Sequence, residues 1–484
     1  MAYRTGNRYQ KTLLPHSIEE YVSLDDPVRA YDAFVEALDL HQLGIEITPH
    51  KVGNAEYHPR AMLKLLVYGY SYGTRSSRKL EREAYHNLAF IWLMGGLKPD
   101  HKTIAEFRRN NKKALHKVLQ QCARMCIKLD LIAGNVLFVD GTKIRANASA
   151  SRTHDKTWYE QQLQDVEQRI EQVLAECEEV DQQEEHSGSW VAMDKELAKA
   201  QRLKSTIEQV LAEFSKTDRT KINHTDPDCA NMRSIQGKHA SYNVQHVADD
   251  KHGLIVHSEA VSDATDLNQF ARQTEQANTV LPKPCTAACG DAGYADTEEL
   301  EKIDNQGIQV IVPSQRQALH EGEKPFSKQH FTYDPEQDCY YCPEGHRLSH
   351  VATEQKTGRK RYQITDKQLC FHCQHWGKCT TSTSSGRRIL RLPNEALKEK
   401  LEAQFTEPQS QEIYRRRNAR IEHPFGHIKR NLKVDAFLLR GRDGVQAETS
   451  LLATCFNLAR MITLLGGVPM LIQKLMAMTA AVTG

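Results

Sequence analysis

Apolar residues recur at helical spacing along roughly the first 130 residues. Met62, Leu63, Leu65, Leu66 and Tyr70 share one stripe, and Ile91 to Met94 continues it, with Pro59, Gly95–Gly96 and Pro99 as breaks. These residues, 1–130, predict an all-α N-terminal domain. The period then changes. Asn135-Val-Leu-Phe-Val139 is a nearly continuous apolar run ending in Asp140-Gly141-Thr142, which predicts a buried strand whose end opens onto a loop. That strand and its loop occupy 131–157.

Residues 158–220 change character again. Leu163, Val166, Ile170, Val173, Leu174, Cys177 and Val180 make one stripe. Leu197, Leu203, Ile207, Val210, Leu211 and Phe214 make another, beyond Ser187-Gly188-Ser189. The pattern predicts an antiparallel helical hairpin.

Strand-like runs resume in 221–319, at Tyr242 to Val247 and Leu254 to Ala260. A helix is predicted over Leu267 to Val280. A short run from Thr286 to Gly290 leads into Asp291, followed by a helix from Thr297 and the run Ile308 to Val312. The alternation predicts an α/β fold on a mixed sheet, interrupted by the hairpin. Residues 320–390 read as cysteine-rich and irregular, and 391–484 as helices completing the core.

Composition changes the picture less than charge distribution does. The chain has 484 residues, 39% hydrophobic and 26% charged, as folded multidomain proteins do. Lys and Arg number 64 against 62 Asp and Glu, but opposed segments cancel. His101 to Asp130 holds eight Lys/Arg against two acids, and Gln411 to Arg442 nine against three. Thr157 to Trp190 holds ten acids and only Arg169 in return. Two basic segments on predicted helices point to a phosphate-bearing partner, while the acidic hairpin, unsuited to DNA contact, suits structural packing that holds subunits together or props other elements apart. The apolar stretch Met461 to Ile472 is broken by Gly466, Gly467 and Pro469, which argues against a membrane span. Met1 to Gln10 has no apolar core of a secretory signal, so a cytoplasmic, reducing setting is expected, where closely spaced cysteines mean metal.

Three carboxylates are candidates for chemistry. Asp140 and Asp291 follow predicted strands, and Glu422 lies in the second basic segment, with spacings of 151 and 131 residues. Each alone reads as a turn residue or ion-pair partner. Together they suit phosphodiester chemistry, which needs hard oxygen ligands for two divalent cations beside phosphate-holding bases. Asp226 and Asp228, in Thr225-Asp-Pro-Asp228, precede a strand and read as a structural turn.

Taken as a set, several motifs carry a resemblance. They are Tyr57-His58-Pro59, Tyr68-Gly69-Tyr70, Ser76-Ser77-Arg78, Pro99-Asp100-His101, Phe107-Arg108, Asp140-Gly-Thr-Lys143, Thr225-Asp-Pro-Asp228, Tyr242-Asn243-Val244-Gln245, Asp291-Ala-Gly-Tyr294 and Glu422-His-Pro-Phe-Gly426. With these the chain resembles bacterial insertion-sequence transposases of the DDE type. The resemblance implies an RNase H-like catalytic core, with Asp140, Asp291 and Glu422 holding two Mg2+ (or Mn2+) ions, Asp140 bridging them. It implies cleavage and transfer of double-stranded DNA, at element ends and target, by a homodimer assembled on DNA. The nearest alternatives are a nuclease of the same fold and a zinc-dependent DNA-binding regulator.

Relatives of this kind place a Tyr, an Arg and a Lys at −7, −4 and +7 from the catalytic Glu, on one helix face. Lys429 stands at +7, but −7 and −4 are Arg415 and Asn418, with Tyr414 and Arg417 each displaced by one. Only a local distortion, for which Pro424 and Gly426 are candidates, would bring Arg417 into place. Arg415 is the better candidate than Tyr414 for a phosphate contact. Lys143, Arg415, Arg417, Lys429 and Arg430 are the expected DNA contacts near the carboxylates, and Arg108, Arg109, Lys112 and Lys113 those of the N-terminal domain.

Cys339-x2-Cys342 and Cys370-x2-Cys373 have the pattern of a zinc ribbon, with Cys379, His346, His372 and His375 near enough to leave the ligand set open. Cys122 and Cys126, at helical spacing, read as core.

Overall fold

Helix Arg442–Leu464 runs buried through one of the two units into which the computed structural model divides. Residues 17–47, 56–182, 187–234, 237–319, 326–355 and 357–483 are described. The first unit comprises Met1–Asp266, Arg272–Cys285 and Arg417–Gly484. Its N-terminal helices start on local signals: Asp26, ahead of Pro27, accepts from Val28 N–H at 2.9 Å, and Asp100 accepts from Thr103 N–H at 2.7 Å. Caps of this kind contribute about 1 kcal/mol each. The predicted stripe holds, since Met62, Leu63, Leu65, Leu66 and Tyr70 are all buried in helix Pro59–Ser71, as are Cys122 and Cys126 in helix Lys112–Lys128. Both helices pack on Arg442–Leu464, so the N-terminal helices share a unit with the core strands.

Those strands are β1 (Val136–Arg145), β2 (Gly237–Asp249) and β3 (Ile255–Val261), in the antiparallel order β1–β2–β3. β1 does not end at Asp140 as its apolar run suggests. It continues through Gly141↔Gln245 to Arg145↔Ser241, because the ladder with β2 satisfies the backbone of residues whose side chains are only half-buried. The edge strand β3 is closed by side chains of the long helix. Asn457 both accepts from Ile255 N–H (2.9 Å) and donates to its carbonyl (2.8 Å), and Gln446 does the same for Ala260 N–H and the Ser258 carbonyl (both 2.8 Å). Eleven residues apart, the two amides lie on one helix face and protect an otherwise open edge.

The helical hairpin emerges after Thr153–His154, which pairs with Ile222–Asn223 at its base. Its arms are Lys156–Gln182 and Ser187–Lys216, so Ser187-Gly188-Ser189 opens the second helix instead of separating the two. Tyr159, Val166, Ile207, Val210 and Ile222 form the hairpin's own core. Leu174 and Leu203, assigned to the stripes, are exposed; the side chains of Cys177 and Val180 lie outside the described residues.

His246 and His257 are buried in β2 and β3, where burial depresses their pKa values to about 3 and about 4. Above pH 6.5 both rings are neutral in either state. Below it the unfolded chain takes up protons that the folded rings refuse, so stability falls as pH drops from 6.5 towards 4. Each ring should contribute about 1.4 kcal/mol per pH unit. Denaturant midpoints measured between pH 7 and 5 check this; a flat profile, or an unchanged one for His246→Gln, would contradict it.

The second unit comprises Leu267–Ala271 and Thr286–Arg416. In it β4 (Ala287–Cys289) pairs parallel with β5 (Gln309–Ile311), the connection passing through helix Thr297–Asp304. The order three strands, helix, strand, helix, strand agrees with the α/β alternation of the sequence. Residues 332–391, expected to be irregular, instead form a five-stranded antiparallel sheet from Thr332–Asp334, Cys339–Tyr341, Arg347–Thr353, Lys360–Ile364 and Arg388–Arg391. The strands are short and half polar, since only one face buries a core, and their alternation is therefore faint.

Candidate active site

Asp140 lies mid-strand in β1, with His246 directly across in β2. Its Oδ1 accepts from Gly141 N–H at 2.8 Å, and its Oδ2 pairs with Arg417 Nη2 at 3.0 Å. Arg417 is buried, so this ion pair is much less screened than a surface one. Thr142, two residues on and thus on the same strand face, accepts from Lys429 Nζ at 2.5 Å. His246, across from Asp140, stacks on Phe425 with 4.6 Å between ring centroids. The segment Arg417–Lys429 is therefore seated on β1 at both ends, and Glu422, exposed, lies between the two anchors.

That segment is not a plain α-helix. Helix Pro408–Arg417 passes into a π-helical turn, Asn418–Glu422, then the α turn His423–Gly426 and a second π turn, His427–Asn431. In a π turn residues five apart, not four, share a face. Arg417, five before Glu422, thereby takes the place that a regular helix gives to −4, while Asn418 is exposed. The distortion lies just before Pro424, which has no N–H to give to a preceding carbonyl. Arg415, the candidate preferred to Tyr414 for a phosphate contact, is exposed; the bulge makes Arg417 the residue that meets Asp140.

On the reverse face of β1, a Cβ at Gly141 would stand 2.2 Å from Gln245 Nε2 and 2.8 Å from Asp266 Oδ1. Asn243 and Gln245 both donate to Asp266 Oδ1 at 2.7 Å. The i, i+2 pair Asn243 and Gln245 hinted at this network; nothing in the sequence tied Asp266 to it.

Asp291 belongs to the second unit, two residues past β4. Its Oδ1 accepts from Gly293 N–H at 2.7 Å and caps the 3-10 turn Ala292–Tyr294. Gly290 before it fits between the rings of Phe270 and Tyr294.

Other candidates separate by burial. Arg108 is buried and donates to the Arg75 carbonyl (2.8 Å) and Tyr70 Oη (3.3 Å), so it is an internal brace and not a DNA contact. Arg109, Lys113, Arg415 and Arg430 are exposed, and Lys112 is half-buried. Strand alternation turns Lys143 away from the Asp140 face, where its Nζ donates to the Arg233 carbonyl at 3.2 Å. Asp226 accepts from Tyr242 Oη (2.7 Å) and Gly441 N–H (3.2 Å), and Asp228 from Arg442 N–H (2.7 Å), the structural role their turn suggested.

The paired CxxC motifs also separate. Cys339 is fully buried within a strand, paired with Asp334 on one side and Ser349 on the other. Cys342 lies past the strand end and lines one small cavity together with Cys370, Cys373 and Cys379. Burial raises the pKa of Cys379, Arg387 opposes this, and the other three thiols add to it. Among the described residues, no group of three or more His, Cys, Asp or Glu already stands in ligating geometry.

Comparison with known families bears on both ends of the chain. Residues 16–110 match a transposase domain family (DUF772), and residues 341–462 match the transposase DDE domain. Both are transposase domains. Together they support an insertion-sequence DDE transposase. Glu422, Arg417 and Lys429 fall inside the second match, whereas Asp140 and Asp291 lie outside both. No curated protein matches the chain. Among the described residues no single helix is long and apolar enough to cross a membrane.

Proposed function

We propose that the protein cuts double-stranded DNA at the ends of a mobile element and joins the freed ends to a target, using an RNase H-like core in which Asp140, Asp291 and Glu422 hold two Mg2+ ions. The observation that carries this reading is the seating of helix Arg417–Lys429 on β1, with Arg417 on Asp140 and Lys429 on Thr142. Asp140 and the exposed Glu422 offer the hard oxygen donors that such ions take. The bound metals would supply an activated water or 3′ hydroxyl and neutralise charge on the phosphate. Arg417 fixes the Asp140 carboxylate in place. Lys429, whose ammonium burial holds below its usual pKa range, stands ready to turn from Thr142 to a phosphate oxygen. The exposed Arg415 and Arg430 extend the basic surface along the strand being cut. A homodimer on DNA, with the acidic hairpins between subunits, accords with this assignment, as does a cytoplasmic site of action.

Labelled end DNA incubated with and without Mg2+ tests the reading. Joined product supports it, cut product alone indicates a nuclease, and a shifted band alone indicates a binding protein. Arg109, Lys112 and Lys113 should serve end capture. Lys112→Ala/Lys113→Ala is expected to weaken binding and reduce the slope of log affinity against log salt by about 1 to 2. An unchanged slope in a salt titration would remove these lysines from the interface.

A further inference from the structure

The five-stranded sheet of the second unit has a small core. Phe331, Tyr340, Leu348, Tyr362, Ile364 and Ile389 are its buried cluster, with Cys342, Cys370 and Cys379 packed against its margin. A core of this size seldom holds a sheet without a staple. The chain around the cysteines is shaped as two knuckles. In the first, Cys342 N–H donates to the His346 carbonyl (2.9 Å), Gly345 N–H to the Cys342 carbonyl (2.8 Å), and His346 N–H to Cys342 Sγ (3.3 Å). Gly345 turns the chain at φ +78°, a conformation open to glycine. In the second, Cys373 N–H donates to the Cys370 carbonyl (3.3 Å), and His375 N–H to Cys373 Sγ (3.4 Å). His375 Nε2 and Glu344 Oε1, 3.0 Å apart, tie one knuckle to the other. Cys379 is held by its N–H to the His375 carbonyl (2.9 Å) and by Arg387, which donates to the Cys379 carbonyl at 2.9 Å.

We propose that Cys342, Cys370, Cys373 and Cys379 bind one structural zinc ion, and that Cys339 takes no part. Cys342 from one stretch of chain and Cys370, Cys373 and Cys379 from another line one small cavity. Two of them already accept backbone N–H bonds at sulfur, the arrangement that favours thiolate, the metal-binding form. Four thiolates around a single ion make the tetrahedral set of structural zinc. Cys339 is excluded by period. It sits within a paired strand, adjacent to Tyr340, whose ring is in the core, so it faces the opposite side of the sheet. The metal supplies the attraction that draws the thiolates together, so binding and local folding are one event.

Elemental analysis of the purified full-length protein should find about one zinc per chain. Cys379→Ser should lower the zinc content at least fivefold, and Cys339→Ser should leave it unchanged. Iron in place of zinc, no bound metal, or zinc lost from Cys339→Ser but kept by Cys379→Ser would overturn the proposal. Because a ligand variant can fail to fold, the unaltered protein supplies a second measurement. Alkylation mapped by mass spectrometry should show Cys342, Cys370, Cys373 and Cys379 labelling faster once a chelator removes the metal. A Cys379 rate indifferent to chelator would likewise overturn it. Neither readout depends on DNA cleavage, so failure here leaves the catalytic assignment standing, and the reverse holds.

Discussion

Asp140→Ala, Glu422→Ala and Asp291→Ala are each expected to reduce Mg2+-dependent strand cleavage by about a thousandfold or more. A metal that organises phosphodiester cleavage supplies several kcal/mol of transition-state stabilisation, and each 1.36 kcal/mol is a factor of ten. Binding to end DNA should change little, because most contacts in such complexes go to basic side chains and the DNA backbone. Single-turnover cleavage alongside an affinity titration separates the two effects. A variant that still cuts at near the parental rate removes its residue from the site. One that loses binding in proportion to cleavage makes its residue structural. For Asp291, which also caps the turn Ala292–Tyr294, Asp291→Asn keeps much of the cap and isolates the loss of charge.

Glu448→Ala is expected to cost about 3–5 kcal/mol of stability, the usual result of stripping one partner from a buried ion pair. The Glu448 side chain is fully buried in helix Arg442–Leu464. It pairs with Arg75 Nη1 at 2.6 Å and accepts from Leu438 N–H (2.9 Å) and Leu439 N–H (3.1 Å). Arg75 also donates to the Ala436 carbonyl at 3.0 Å. One carboxylate thus fixes the chain that follows the segment Arg417–Lys429 and joins it to the N-terminal helices. Chemical denaturation should show the loss directly, with Arg75→Ala costing a similar amount. A loss below about 1 kcal/mol for Glu448→Ala would mean that water enters to replace the lost partners.

Period and punctuation made much of the fold legible. The N-terminal stripe, the hairpin, and the strands at 242–247, 254–260, 286–290 and 308–312 all lie on or near elements of the structure. Each has a strong signal, either a one-sided helical face or a buried apolar run. The cysteine-rich sheet is hard to read from sequence because one-faced short strands leave little alternation. Strand β1 looks shorter in the sequence than it is, because Asp140-Gly141 resembles a turn, whereas pairing with β2 carries the strand on to Arg145. Within the site, a single extra residue defeated regular-helix spacing. Arg417 reaches Asp140 only through the π turn, of which Pro424 and Gly426 are the local hints in the sequence. Arg108 shows the converse: a basic residue in a basic run faces inward because Arg75 and Tyr70 need its donors. CxxC spacing likewise points to Cys339, which strand alternation places on the face opposite Tyr340.

If Asp140 and Glu422 hold catalytic metal, exchanging their donor atoms should change which ion supports cleavage. Mg2+ demands hard oxygen ligands, whereas softer divalent ions tolerate sulfur. Strand cleavage by Asp140→Cys and Glu422→Cys is measured in Mg2+ and in Mn2+. Both variants should be inactive in Mg2+ and recover at least tenfold in Mn2+, while alanine at the same positions recovers in neither. Full activity in Mg2+, or equal residual activity of cysteine and alanine variants in Mn2+, would contradict the assignment.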